Sequence, residues 1–294
     1  MKGMGSYMFK IKKEFVPYLF ILPTVILFVF ILALPLYNLI KFSLGDSNII
    51  QGYTTWNHFE NYKYLISREF LETVKVTLIY VLFGVLGIVV FGTAVSLALN
   101  KPMRGLGLFR AIVIIPWVVP HAFAASMWSW VVNPQFGFLN QLLTQLHLVS
   151  QPISFLSEKT ALITVIIVRI WQGTPFMIIS LLAALQTIPT DIEEASSLDG
   201  ANAIQKFFYI TVPYIKPVLI TTTMIISAWT VQIFDTVYIM TNGGPARKTQ
   251  LIALEIYAKA FNQSDLGTAS AIALVTLLIV GLMCSGNFRK ERVE

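Results

Sequence analysis

Long apolar stretches separated by polar segments run along almost the whole chain. Six of them reach the roughly 20 residues that a helix needs to cross the hydrocarbon core of a bilayer. They cover residues 16–40, 74–99, 108–132, 161–185, 218–240 and 266–286. Strands of a membrane barrel would instead alternate in polarity over about 10 residues. The pattern therefore predicts an all-α polytopic membrane protein, with six transmembrane helices in a single domain over residues 1–294.

The composition agrees with a membrane location. Hydrophobic residues make up 56% of the chain and charged residues only 12%, whereas a soluble domain has about 25% charged residues. The formal net charge of +6 comes from short basic clusters between the apolar stretches. A nucleic-acid-binding protein would carry a basic stripe on a polar face, so we exclude that class. The single Cys284 has no second cysteine with which to form a disulfide within the chain.

Lysines and arginines set the expected orientation. The first apolar stretch is about 25 residues long, against 7–15 for the core of a signal peptide, so we interpret it as a retained span. With the N-terminus in the cytoplasm, 12 of the 21 lysines and arginines fall in cytoplasmic segments, eight fall outside, and Arg169 lies within a span. Because cytoplasmic segments carry the excess of basic residues, both termini are predicted to be cytoplasmic.

The first external loop, residues 42–73, is rich in aromatic and amide side chains, among them Trp56, Asn57, Phe59, Asn61 and Tyr62. Two interpretations of this loop are open. It forms an interfacial shelf on which a soluble partner docks, or it is a water-facing loop with an aromatic belt at the membrane surface.

A polar segment between the fourth and fifth spans, residues 190–213, has the pattern of two short helices. Thr190 and Glu193 form a capping box at the start of the first helix. Gly200 is suited to its C-terminus, where a left-handed residue is common. The segment is therefore predicted to form a cytoplasmic helix–turn–helix elbow rather than an irregular loop.

The second helix of the elbow is predicted to start at Asn202, capped together with Gln205, and to end at Pro213. A passive connector between spans usually has two to eight residues, so this segment is unusually long. Small side chains at its surface allow close approach, and Glu194 offers a carboxylate to a basic group on a partner. The elbow either enters a groove on another protein or lies on the lipid surface.

Motifs in and around this elbow resemble a known family. Within it, Glu194-Ala195-Ser196, Asp199-Gly200-Ala201 and Val212-Pro213 resemble the signature of binding-protein-dependent ABC importer permeases. Ser196 and Val212 depart from the usual Ala and Leu of that signature but keep the size or the apolar character. Further motifs resemble the carbohydrate branch, with its maltose, multiple-sugar and glycerol-phosphate permeases: Ile170-Trp171-Gln172-Gly173-Thr174-Pro175-Phe176, Leu185-Gln186-Thr187-Ile188-Pro189 and Thr241-Asn242-Gly243-Gly244-Pro245.

The resemblance implies that the elbow is a coupling helix that sits in a cleft of a separate ATPase subunit. The implied coupling residues are Glu194, Ala195, Ser196, Asp199, Gly200, Ala201 and Pro213. It also implies a bacterial cytoplasmic (inner) membrane location and a complex with a second, different permease, two ATPase subunits and an extracytoplasmic solute-binding protein. ATP and Mg²⁺ would bind the ATPase subunits, with no cofactor in this chain. The implied cargo is a carbohydrate, moved by ATP-driven alternating access.

Arg169 lies eight residues past the start of the fourth span, which is about 12 Å along a helix. An ionisable side chain at that depth indicates a functional site, and Gln172 and Phe176 share its helix face. The resemblance extends the expected substrate path to Arg169, Trp171, Gln172, Gly173, Phe176, Thr230 and Ile233. Two interpretations of Arg169 are open. It faces the path, which would favour an acidic saccharide or glycerol phosphate, or it pairs with a carboxylate of the partner permease.

Other function classes fit the sequence less well. The chain has no P-loop or nucleophile motif, so it is predicted not to be an enzyme, and its three histidines do not have the spacing of metal ligands. An ion-coupled secondary transporter usually has inverted repeats and buried acidic relay residues, and neither is clear here. A membrane scaffold without a transport role would not need polar residues within its spans.

Overall fold

The structure is a computed structural model that describes residues 16–101 and 104–288. In chain order, its thirteen α-helices are α1 (Val16–Ser43), α2 (Glu60–Lys63), α3 (Arg68–Leu99), α4 (Leu106–Val118), α5 (His121–Val131), α6 (Phe138–Gln145), α7 (Ala161–Leu185), α8 (Thr190–Leu198), α9 (Ala203–Lys206), α10 (Val212–Val231), α11 (Asp235–Thr241), α12 (Ile252–Tyr257) and α13 (Leu266–Phe288). Many of the basic residues that set the predicted orientation, together with the side chains of Glu193 and Cys284, lie outside the described residues. The mainly helical architecture is confirmed.

Five helices in the described part of the chain are long and apolar enough to cross a membrane. The third predicted span differs, because residues 108–132 do not form one straight helix. They form α4 and α5, which are bent by 99° relative to each other. Val119 between them is extended, as expected for a residue that precedes a proline, here Pro120. Counting this bent pair as one span gives six.

The fifth span also differs from the prediction of residues 218–240. Pro213 does not end the second elbow helix, since α9 continues through a π-helical turn, Phe207–Thr211, into α10. A proline inside a helix lacks the N–H donor and crowds the carbonyl four residues earlier, and the wider π turn lies where that crowding falls. The continuous helix therefore runs from Ala203 to Val231 and breaks before α11.

Helix α7 is the central element. Half of the residues in its apolar stretch are buried. It packs along α3, whose glycines permit close contact as expected for small residues in membrane helices. A Cβ added at Gly87 would overlap Ile170, and one added at Gly92 would lie 2.5 Å from the Met177 side chain. This close packing fixes the orientation of α7 and therefore the face that carries Arg169.

The loop predicted to be the first external one contains a feature that the all-α prediction did not include, an antiparallel hairpin of β1 (Gly45–Asn48) and β2 (Gly52–Trp56). The Asn48 side chain accepts hydrogen bonds from the N–H groups of Ile50 and Gln51 and so forms the turn.

Three of the five aromatic and amide residues singled out in this loop hold the hairpin and its entry in place. Asn57 donates to Asp46, Asn61 donates to two backbone carbonyls of the hairpin entry, and the Tyr62 hydroxyl bonds Ser43. Trp56 and Phe59 remain exposed.

Candidate functional site

A cavity of about 510 Å³ opens between α4, α5, α7 and α10. Its volume is within the range of small-molecule sites, roughly 300–1,000 Å³. Polar and aromatic side chains line it together: Trp117, His121, Arg169, Gln172, Gly173, Phe176, Ile226, Trp229, Gln232, Ile233, Phe234 and Asp235. The fold therefore places hydrogen-bonding groups and flat apolar surfaces around one space.

Two helix breaks meet at this cavity. Trp117 and His121 lie on either side of the bend between α4 and α5, and residues 232–234 form the break between α10 and α11. Helix ends leave backbone N–H and C=O groups without intrahelical partners. Within a membrane, such irregular backbone is tolerated where it lines a cavity. The breaks therefore mark the cavity as a polar region within the spans.

Arg169 forms part of the cavity wall, with 4% of its surface exposed. Its Nε and Nη2 groups both donate to the hydroxyl of Thr230 on α10, at 3.1 and 2.9 Å. The Thr230 hydroxyl donates in turn to the carbonyl oxygen of Ile226 at 2.6 Å. No carboxylate of the described residues lies within 4.0 Å of the guanidinium group. The buried charge is thus oriented by one hydroxyl and carries no ion pair within the described chain.

Gln172 lies one helical turn from Arg169 and is 2% exposed. Its Oε1 accepts a hydrogen bond from Thr236 at 3.4 Å, while its Nε2 has no hydrogen-bond partner among the described residues. A buried donor without a partner is costly, by about 1–3 kcal/mol. Gly173 beside it admits the Ile88 side chain of α3. Gln172 therefore presents a free donor at a cavity wall that close packing holds in place.

Three aromatic rings form another wall. Phe176 stacks on Trp117 with ring centroids 5.9 Å apart and packs against Trp229 at 4.9 Å. Trp117 and Trp229 keep 48% and 45% of their surfaces exposed. Flat, partly exposed rings beside hydrogen-bonding groups suit a ligand with both apolar faces and polar edges, as a sugar ring has.

The structure does not bring all of the predicted path residues together. Arg169, Gln172, Gly173, Phe176 and Ile233 line the cavity, and Thr230 lies behind Arg169 as its hydrogen-bond acceptor.

Trp171 lies elsewhere. Its ring packs edge-to-face on Trp128 at 5.5 Å, and it lines a separate apolar pocket between α3, α4 and α7. The difference follows from the helical period, because adjacent residues point about 100° apart.

Sequence reasoning missed seven cavity residues, namely Trp117, His121, Ile226, Trp229, Gln232, Phe234 and Asp235. One local signal was available for the first of them, because Pro116 and Pro120 flank a tryptophan inside an apolar stretch. The break at residues 232–234 contains no proline or glycine and gave no such signal.

The elbow formed by α8 and α9 is a second candidate site. Helix α8 starts at Thr190, with Pro189 rather than Thr190 in the N-cap position. It ends in a Schellman motif, where the Gly200 and Ala201 N–H groups donate to the carbonyls of Ser197 and Ser196. The predicted capping of the next helix is confirmed, since Asn202 and Gln205 bond each other's backbone at 2.9 Å.

The coupling residues predicted from the resemblance occupy different positions on this elbow. Glu194, Ala195, Asp199 and Gly200 are exposed, Ala201 is half-buried, and Ser196 is buried at 8% exposure. Pro213 is exposed and lies in the first turn of α10. Large apolar side chains also remain uncovered here, with Leu198 88% exposed and Tyr209 79% exposed. This chain alone does not bury the apolar surface of its elbow.

A buried carboxylate ties together segments that are predicted to be external. Glu255 on α12 is fully buried and accepts hydrogen bonds from the Tyr64 hydroxyl and from Arg247, both at 2.6 Å, and from Gln250 at 3.0 Å. Burial by itself would raise the pKa of Glu255, but these bonds and the Arg247 charge outweigh it, so the pKa lies below its ordinary value. Arg247 also pairs with Glu69 of α3 at 2.9 Å. The network fastens the segment after α11 to the start of α3.

Comparison with known proteins decides the family. The pattern of the family described as "Binding-protein-dependent transport system inner membrane component" matches residues 88–288, more than half of the chain. The chain belongs to this family. It therefore is a membrane permease component of a binding-protein-dependent transport system, and the resemblance drawn from its motifs is confirmed.

Two relatives within the family illustrate how far the likeness extends. The trehalose/maltose transport system permease protein MalF of Thermococcus litoralis is 34% identical over 265 residues, which cover 90% of this chain and 89% of that protein. The diacetylchitobiose uptake system permease protein DasB of Streptomyces coelicolor is 31% identical over 271 residues, covering 90% of this chain and 83% of that protein. Each likeness spans nearly the whole of both proteins.

The fold also matches a solved permease structure. A chain in the crystal structure of a bacterial alginate ABC transporter, in complex with an alginate pentasaccharide-bound periplasmic protein, superposes with a TM-score of 0.82. The match covers 96% of each chain at 21% sequence identity. At this identity, the likeness shows that the helices are arranged in the same fold.

Proposed function

We propose that this chain is the permease subunit through which an ATP-binding-cassette importer moves a carbohydrate across the bacterial cytoplasmic membrane. The observation that carries the proposal is the cavity where two broken helices meet, lined by Arg169, Gln172 and a cluster of aromatic rings. Sugar sites combine planar hydrogen-bonding side chains with aromatic faces, and this cavity offers both. The relatives named as trehalose/maltose and diacetylchitobiose permeases support the same class of cargo.

In this proposal the N- and C-termini are cytoplasmic, as the basic residues predict. That orientation puts the elbow formed by α8 and α9 in the cytoplasm and the hairpin and the Glu255 network outside. Apolar side chains cover the outer faces of α1 and α13, for example Phe20 at 79% and Leu282 at 72% exposure. Such surfaces are suited to lipid or to a second membrane subunit.

Energy reaches the cavity through the elbow. Two separate ATPase subunits bind ATP and Mg²⁺, and each permease of a pair of different permeases offers one elbow to them. Exposed Glu194 and the uncovered Leu198 supply a charge and an apolar contact for this docking. The unbroken helix from Ala203 to Val231 then connects the elbow to Thr230 and the cavity wall, so movement of the elbow reorients the wall.

The test is reconstitution of the complete complex, with its second permease, ATPase subunits and solute-binding protein, in proteoliposomes. We expect accumulation of radiolabelled maltose or diacetylchitobiose that requires internal ATP and persists when ionophores dissipate ion gradients. Uptake that does not require internal ATP and is abolished by the ionophore would instead identify an ion-coupled secondary transporter.

A second test addresses the elbow. Glu194→Lys is expected to reduce co-purification with the ATPase subunits and to abolish ATP-dependent uptake. The matched control is Glu60→Lys, which reverses an exposed carboxylate on the external side. Full retention of the ATPase subunits by the Glu194→Lys complex, with normal uptake, would rule out this coupling site.

A further inference from the structure

We infer that the corner of the cavity formed by Arg169 and Gln172 binds an anionic group, such as a carboxylate, on the transported saccharide. This inference rests on the proposed function and adds a chemical class of cargo to it. It depends on three features within the described part of the chain: a buried cation without an ion pair, a neighbouring donor without an acceptor, and an acid in the same cavity that does not pair with the cation.

The first feature is the charge on Arg169. The side chain is 4% exposed, and its described hydrogen bonds all go to the single hydroxyl of Thr230. A threonine hydroxyl neutralises no charge, and a buried ion without a counter-ion is strongly unfavourable. On the α3 side, the buried Tyr80 hydroxyl has no hydrogen-bond partner among the described residues, and a Cβ added at Gly84 would lie 3.5 Å from the Arg169 Cγ. The packed helices thus supply no counter-ion from the described residues, while the cavity side of Arg169 is open to a ligand.

The second feature is the Nε2 group of Gln172, one helical turn away. The residue is 98% buried, lines the same cavity, and has a donor without an acceptor among the described residues. A carboxylate, sulfonate or phosphate has several acceptor oxygens and could accept from Arg169 and Gln172 together. Neutral hydroxyl groups could also accept, but they would leave the guanidinium charge unpaired.

The third feature is Asp235, the acid that lines the cavity. It is the first residue of α11, where the free N–H groups of the helix start favour a carboxylate. It forms no ion pair with Arg169 within 4.0 Å in the described chain. His121 opens α5, whose N-terminal end also meets the cavity. The cavity wall therefore carries a cation and an acid that do not pair with each other within 4.0 Å in the described chain.

The experiment measures binding of matched sugars to the assembled transporter in nanodiscs without its solute-binding protein. Quenching of tryptophan fluorescence reports occupancy, since Trp117 and Trp229 line the cavity. The probes are glucose, glucuronate, glucose 6-sulfate, glucose 6-phosphate and inorganic phosphate. We expect at least one anionic sugar to bind ten or more times as tightly as glucose, and more tightly than inorganic phosphate. If inorganic phosphate bound more tightly than every anionic sugar, the corner would be a site for free anions and the inference would be overturned.

Variants then assign the preference to Arg169. Arg169→Gln is expected to bring anionic and neutral sugars within about twofold of each other, whereas Arg169→Lys should keep part of the preference because it keeps the charge. The control is Arg68→Gln, which removes an exposed cation outside the cavity and should leave the preference unchanged.

Three results would contradict the inference. Glucose binds as tightly as the anionic sugars, Arg169→Gln lowers the affinity for neutral and anionic sugars equally, or no probe binds. Equal loss combined with dissociation of the two permeases would show that Arg169 pairs with a carboxylate of the partner. These failures are distinguishable from failure of the proposed function. A transporter that still accumulates neutral saccharides with ATP keeps that function and loses only the anion site.

Discussion

The Thr230 hydroxyl on α10 accepts two hydrogen bonds from the Arg169 guanidinium on α7, at 3.1 and 2.9 Å. The two residues are 61 positions apart in sequence, and the coupling elbow proposed above lies between them. Because Thr230 belongs to the helix that continues from the elbow, any rotation of that helix changes the position of the Arg169 charge. The pair therefore joins the part of the chain that would contact the ATPase subunits to the part that would contact the transported saccharide.

Removal of this hydroxyl should release Arg169 from its position. We predict that Thr230→Val weakens saccharide binding by about 2 kcal/mol, roughly thirtyfold, since a hydrogen bond to a charged group contributes about that much. Tryptophan quenching with the probes above measures it. Thr223→Val is the control, because among the described residues the Thr223 hydroxyl bonds only the Leu219 carbonyl of its own helix. Equal effects of the two substitutions would contradict a specific role for Thr230.

The aromatic wall should bind the flat faces of a sugar. Trp229→Ala is expected to weaken binding of neutral and anionic sugars alike by about 1–2 kcal/mol, because it removes one of the stacking faces next to Phe176. Trp130→Ala removes a tryptophan that is 73% exposed and lies outside this cavity, and it should leave affinity unchanged. Titration calorimetry on the assembled complex measures both. Unchanged affinity in Trp229→Ala would exclude this wall as a binding surface.

The elbow depends on one left-handed residue. Gly200 has φ +79° and ends α8, a conformation that costs other residues about 1 kcal/mol or more. Gly200→Val is expected to distort the turn and lower sugar-stimulated ATP hydrolysis in the reconstituted complex. Gly107→Ala is the control, since it lies in a helix with open space around it. If Gly200→Val hydrolyses ATP normally and transports normally, the shape of this turn is not needed for coupling.

Stability should depend on pH through Glu255. Its pKa in the folded protein lies below the ordinary value of 4.5, so it stabilises the fold above that pH and the stabilisation is lost as the pH falls through the folded value. The melting temperature of the purified complex should therefore fall at acid pH. Glu255→Gln should lower the free energy of unfolding at pH 7 by about 1–3 kcal/mol, and with it the melting temperature. It should also make the melting temperature depend less on pH in the acid range.

The control for this prediction is Glu60→Gln. Glu60 pairs with Lys63 at 2.6 Å, but both side chains are more than half exposed, so the pair should contribute little. A Glu255→Gln protein with an unchanged acid profile would show that other carboxylates cause the loss of stability.

Several parts of the molecule could be read from the sequence. The apolar stretches specified helices long enough to span a bilayer, because hydrocarbon thickness sets a minimum length independent of tertiary contacts. The Asn202–Gln205 cap and the turn at Gly200 were also predictable, since capping involves residues only a few positions apart. The face shared by Arg169, Gln172 and Phe176 followed from the helical period, and these three residues do line one cavity.

Other parts were decided only when the helices packed. The break at residues 232–234 has no local cause in the sequence, and Pro213 lies inside a helix that a local rule would end there. The meeting of two helix breaks around Arg169 and the choice of Thr230 as its partner depend on how distant helices pack against α7. Local sequence fixes which segments become helices and where many of them end, because those interactions span only a few residues. Which side chains share a cavity depends on how distant helices approach each other, and only the tertiary structure determines that.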